Sequence, residues 1–126
     1  MGAVTQPSLF DAPPMVADQH GCPFCDIAHG RGPHELVCDW GHTMAIVPLN
    51  PVVPGHVIVI PKVHVPDATY DPNITAITMM GAAQIARPQC NIITSAGIDA
   101  TQTVFHLHVH VVPRRSGDGL KLPWTN

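Results

Sequence analysis

Residues 106–115 read HLHVHVVPRR, three histidines in five positions with one aliphatic residue between each pair. Alternation of period two, with valines at 109, 111 and 112, is the pattern of a β-strand. Residues two apart on a strand share a face, so His106, His108 and His110 are expected along one side and Leu107, Val109 and Val111 along the other. At about 3.3 Å of rise per residue, neighbouring histidines then stand roughly 7 Å apart and the outer two roughly 13 Å. A zinc ion holds imidazole nitrogens at about 2.1 Å, so one ion cannot gather all three from a straight strand. The row is therefore not simply a metal site. A half-solvated face that happens to carry histidine would explain one such residue. It is a poor account of three on one face, in a chain with one tyrosine and three phenylalanines.

The rest of the chain bounds what this row can do. With 126 residues it is expected to form one domain with a modest core. A net charge of −3 and no basic stripe argue against an extended nucleic-acid footprint. No apolar run approaches the roughly 18 residues of a membrane span, and the opening residues lack a signal-peptide pattern. Gly2 follows the initiator, but Gln6 stands where a myristoylation motif needs Ser or Thr. Four cysteines without a secretion signal point to a reducing, cytoplasmic compartment and not to a disulfide framework. Residues 1–20, with Pro7, Pro13 and Pro14, read as a flexible tail, 21–115 as the folded domain and 116–126 as a C-terminal loop or tail.

Within the domain, strands are expected at 35–39, 42–50, 56–60, 90–97 and 104–113. One helix is expected over 71–87, with Asp71 as N-cap, Pro72 at its first position and Pro88 stopping it at Arg87. Its core face is expected to carry Ile74, Ile77, Met80 or Gly81, Gln84 and Ile85. Long strand runs with one main helix make an antiparallel α+β domain. Upstream, Cys22 and Cys25 have the two-residue spacing that lets two thiolates share a zinc, a pair of reduced cysteines in a tight turn being the alternative. Cys38 and Cys90 fall on strands and read as small buried hydrophobes.

Taken together, CPFCDIAHG at 22–30, PGHVIVIPKVH at 54–64, and TQTVFHLHVHVVPR at 101–114 resemble the histidine-triad (HIT) family, in its zinc-carrying, bacterial-type branch. The resemblance spans roughly residues 21–114 and implies a five-stranded antiparallel sheet with one helix, commonly as a homodimer. It also implies nucleotidyl transfer through a histidine that covalently carries a nucleoside monophosphate. By this resemblance His108 is the nucleophile, His110 contacts phosphate oxygens and His56 lies across from the triad. Gln102, Thr103, Ser95, Ile27 and Asn50 are the substrate-binding candidates, and a structural zinc is held by Cys22, Cys25, His64 and His106.

The implied chemistry suits these side chains. A phosphoryl centre needs a nucleophile unprotonated at neutral pH, which imidazole is, and fixed donors where oxygen charge develops. The sequence departs from its relatives mainly around the nucleoside. The segment Ala45–Pro51 carries Pro48 where many relatives have an aspartate that grips the ribose hydroxyls, Ser95 stands for an asparagine, and Thr101 stands for a glycine. Three functions stay open on sequence: a hydrolase acting on a nucleotide conjugate, a transferase or phosphorylase with another acceptor, and a non-catalytic zinc-stabilised nucleotide-binding module.

Overall fold

The computed structural model describes residues 18–121. The elements run α1 (Pro23–Ala28), β1 (Leu36–Asp39), β2 (Thr43–Ile46), β3 (Val57–Pro61), α2 (Pro72–Ile85), β4 (Cys90–Ile93) and β5 (Val109–Pro113), with one 3-10 turn at Ile98–Ala100. The five strands form one antiparallel sheet in the order β1-β2-β3-β5-β4. This is the expected α+β architecture. Of the expected N-terminal tail, residues 1–17 lie outside the described residues, as does 122–126 of the C-terminal stretch. At the start of the described residues, Arg31 grips the Asp18 carboxylate through two nitrogens at 2.8 and 2.7 Å.

Strand alternation sorts the side chains into two layers. On one face Ala45, Val59, Val109 and Val111 pack with Leu107 under α2. On the other face Met44, Ile46, Ile58 and Ile60 pack under Phe24, Ile27 and Ala28 of α1. In the sheet register Ile58 of β3 and Ile93 of β4 both sit opposite His110 of β5. His110 therefore stands on the α1 face, beside an apolar floor.

Helix α2 starts as its sequence directs. The Asp71 side chain accepts from the Asn73 amide at 2.9 Å, Pro72 takes the first turn, and the helix ends ahead of Pro88. Its buried face matches the expected one in part: Gly81 is buried and Ile74 and Ile85 pack against the core, but Ile77, Met80 and Gln84 do not. Thr78, Gly81 and Ala82 face the sheet, while Ile77 and Met80 are 40% and 63% exposed and Gln84 faces outward. Small residues win because the indole of Trp40 occupies the space beside Gly81, where a Cβ would stand 2.8 Å from the ring. The fully buried positions of the helix are small residues, with Ile74, Met79 and Ile85 partly buried against the same core.

The histidine row differs too. The strand begins at Val109, so only His110 of the three lies on β5. Pairing explains the boundary: the ladder to β3 ends at Val59↔Val109 and that to β4 at Ile93↔His110. Ahead of it the chain turns to a different partner, the Leu107 amide donating to the Val65 carbonyl at 2.8 Å. The sides still alternate as expected: Leu107 packs with Val109 and Val111 in the core under α2, while His106 and His108 turn toward Phe24 of α1, the side of His110.

Candidate active site and metal centre

Four side chains meet where α1, the segment after β3 and the segment before β5 converge. Cys22, Cys25, His64 and His106 are all buried, and their ligand atoms lie within 4.8 Å of one another. His106 Nδ1 is 3.4 Å from Cys22 Sγ, 3.5 Å from Cys25 Sγ and 3.2 Å from His64 Nδ1. His64 Nδ1 is 3.3 Å from Cys25 Sγ. A tetrahedron with Zn–S of about 2.3 Å and Zn–N of about 2.05 Å requires N···S edges of about 3.5 Å and an N···N edge of about 3.3 Å. The donors already stand at that spacing, so the residues fit a zinc ion. All four ligands come from protein, which closes the coordination sphere and makes the site structural.

The surroundings fix the donors' orientation. His106 Nε2–H donates to the Pro61 carbonyl at 2.8 Å, which leaves Nδ1 unprotonated and aimed at the metal position. Burial pulls the His106 pKa down to about 4 and also lowers that of His64, so both rings are neutral ligands. Burial pushes the Cys25 thiol up to about 11, and metal binding must displace that proton. Locally, Pro23 opens α1 and the Cys22 sulfur accepts from the Cys25 amide at 3.4 Å, a helix start that brings both sulfurs to one side.

A second histidine cluster lies beside the first. His108 Nδ1–H donates to the His106 carbonyl at 2.8 Å, so its Nε2 carries the free lone pair. His56 reaches His110 from the start of β3, Nε2 to Nδ1 at 2.9 Å, and the Val52 amide donates to His56 Nδ1 at 3.1 Å. The amide settles the chain of protons. His56 Nδ1 must accept, so His56 carries its proton on Nε2 and donates it to His110 Nδ1. His110 in turn must carry its proton on Nε2, as an outward donor. Burial lowers the pKa of His56 and His108; for His110 burial, then its two histidine neighbours, lower it to about 4. All three rings are neutral at pH 7. Together they present one lone pair and one N–H donor, their ring centroids 5.1 Å apart for His108 and His110.

Two residues bear on His108 that sequence reading did not single out. Phe24, between the two cysteines, sets its ring edge-on at 5.0 Å from His108 and 5.7 Å from His106. Thr94 donates its hydroxyl to the His108 carbonyl at 2.8 Å. Neither has a sequence signal, since an aromatic in a CxxC turn and a threonine after a strand are commonplace. Of the substrate-binding candidates, Ile27 is half-buried among the apolar residues under α1. Ser95 is half-buried and follows Thr94, and Thr103 and Asn50 are exposed. Gln102 is 5% exposed and uses its whole carboxamide inside the protein. It accepts from the Gly97 amide at 2.8 Å and donates to the carbonyls of Pro66 and Val104 at 2.7 and 3.0 Å. These bonds engage the Gln102 carboxamide with the loop around it, directly ahead of Thr103.

The HIT domain model matches residues 30–117. The chain belongs to the HIT family. An uncharacterized HIT-like protein of Mycobacterium tuberculosis is 36% identical over 110 residues, covering 80% of this chain and 76% of that one. The adenylylsulfatase HINT3 of Arabidopsis thaliana is 28% identical over 111 residues, 81% of this chain and 56% of that protein. Among solved structures, a zinc-bound histidine triad family protein from Mycobacterium smegmatis superposes with a TM-score of 0.74 at 38% identity, covering 80% of each chain. The HIT fold and the buried tetrahedral metal site thus stand on geometry and on relatives alike.

Proposed function

We propose that this HIT protein cleaves a nucleoside monophosphate from an amine, acyl or phosphate leaving group through a nucleotidyl-His108 intermediate. The observation that carries the reading is the proton arrangement: the His106 carbonyl binds His108 Nδ1–H, so the Nε2 lone pair is free for attack. Attack forms an N–P bond, and the leaving group departs with the electron pair of its own bond to phosphorus and takes a proton from water. Water, or another acceptor in a transferase, then attacks phosphorus and gives its proton to the hydroxide left by the first step, and the N–P electron pair returns to Nε2. His110 Nε2–H supplies a fixed donor to the phosphate oxygens, held in that tautomer by His56 and the Val52 amide. The exposed Thr103 hydroxyl contacts the leaving group, Ser95 the phosphate, and Ile27 with Asn50 borders the nucleoside. The adenylylsulfatase activity named for the Arabidopsis relative is chemistry of this class.

When bound, zinc supplies a rigid tie between the CxxC turn, His64 and His106. Two further parts of the reading are a homodimer and a cytoplasmic location. The first is supported by β4, one of the two edge strands, where Ile92 and Ile93 are 38% and 40% exposed. The second is supported by a metal site built from thiolates, which needs reduced cysteines; no helix among the described residues is long and apolar enough to cross a membrane. Turnover of adenosine phosphoramidate by the wild type and by His108→Ala tests the reading: the variant is expected to be inactive, and retained turnover would overturn the covalent route.

A further inference from the structure

We infer that the cavity between β2, β3 and α2 is a second ligand site, for a small neutral molecule that joins an apolar body to one hydroxyl or carbonyl group. Seven polar side chains are buried among the described residues. Six of them, His56, His64, Asp71, Thr78, Gln102 and His106, each make at least one hydrogen bond. Thr43 is 3% exposed, and its hydroxyl makes none among the described residues. A buried hydroxyl without a partner destabilises a fold, a cost that valine, of nearly the same shape, would avoid. No fully enclosed polar side-chain atom lacks a partner among the described residues, so the Thr43 hydroxyl keeps a small accessible patch, and that patch faces the cavity the residue lines.

The cavity has a volume of about 190 Å³, and Pro61, Val63, Ile74 and Ile77 give it apolar walls. It lies on the α2 side of the sheet: Thr43 alternates with Met44 of the opposite layer and shares its face with Ala45. His110 stands on the other face, so the cavity is separate from the histidine cluster. Ile77 is 40% exposed, which leaves the outer edge of the cavity open to solvent. An apolar void of about 150 Å³ takes benzene, whereas one water occupies about 30 Å³ of liquid, so the space suits roughly six to eight non-hydrogen atoms. The Thr43 hydroxyl can both donate to such a molecule and accept from it. Lys62, which lines the same space, already donates to Asp39 at 2.9 Å. A ligand charge of either sign would meet a like charge of that pair; a neutral ligand meets neither.

The zinc-loaded full chain, 13C-labelled at its threonine, valine and isoleucine methyls, is titrated with phenol, benzene and benzoate. Phenol is expected to shift the methyls of Thr43, Val63, Ile74 and Ile77 along a saturable curve. Benzene should shift the same methyls with an affinity lower by up to about tenfold, the scale of one neutral hydrogen bond. Benzoate should not approach saturation where phenol does. In Thr43→Val, phenol should fall to the affinity of benzene. The ligand-free variant should also melt a few degrees above the wild type, because it lacks the unpaired hydroxyl. None of these readouts involves turnover, so they stand or fall apart from the nucleotidyl chemistry. Shifts that stay linear in probe concentration, or that scatter over the surface, would overturn the inference. So would phenol binding that is unchanged in Thr43→Val, or benzoate binding tighter than phenol. A ligand-free Thr43→Val that melts below the wild type would overturn it too, since the hydroxyl would then have a partner within the chain.

Discussion

His56→Ala breaks the proton relay at its middle, and its cost follows from the contacts it removes. The imidazole is 5% exposed, accepts from the Val52 amide and donates to His110 Nδ1 at 2.9 Å. Without it, His110 is free to place its proton on Nδ1 and turn an acceptor toward the phosphate. The transition state then loses one hydrogen bond to a charged oxygen, worth about 1.5–3 kcal/mol. At about 1.36 kcal/mol per tenfold, kcat/KM should drop roughly 10- to 150-fold. His110→Ala removes the same donor directly and should cost about as much. Because both act through one hydrogen bond, the double variant should be no worse than the poorer single one. The assay is steady-state turnover of a nucleoside phosphoramidate, run well below each variant's Tm. A His56→Ala enzyme within threefold of wild type, or losses that multiply in the double variant, would refute the relay.

Three more expectations follow from particular contacts. Gly81→Ala gains about 1 kcal/mol of helix propensity but forces a methyl against Trp40 and Val59, an overpacking cost of about 1–3 kcal/mol; urea unfolding should show a net loss of up to about 2 kcal/mol, and a stabilised variant would mean the indole moves aside at no cost. Metal analysis should find about one zinc per chain, and Cys22→Ser should lower both the zinc content and the Tm; protein purified without chelators that holds no zinc would contradict the four-ligand site. Ribo and 2′-deoxyribo substrates should be turned over with similar kcat/KM, since Pro48 offers no carboxylate to the sugar; a ribose preference above about tenfold, some 1.4 kcal/mol, would show that another residue grips the hydroxyls.

The fold was legible wherever local rules act alone. Asp71–Pro72 and Pro88 bounded α2 because capping and proline sterics need no tertiary context. The apolar alternation of 56–60 placed β3 within a residue of its observed start. What escaped depended on partners distant in sequence. His106 and His108 have strand-like spacing, but the strand ends where the ladder partners on β3 and β4 run out. The buried face of α2 turned on the Trp40 indole, which no helical period encodes. The metal ligands followed from the CxxC spacing and the family resemblance, and the structure brings all four together. The bonds of Gln102 to Pro66 and Gly97 were not legible either, because no local pattern encodes a side-chain partner 36 residues away.

The central claim is that His108 Nε2 forms a covalent bond to phosphorus. It is tested most directly by mixing the chain with a nucleoside phosphoramidate, quenching in alkali to preserve the phosphoramidate bond, and mapping the added mass by peptide mass spectrometry. The account predicts one nucleoside monophosphate on the peptide holding HLHVHVVPR, localised to His108 and absent in His108→Ala. Efficient turnover with no adduct at any time point, or an adduct on His110 or His56 instead, would contradict it.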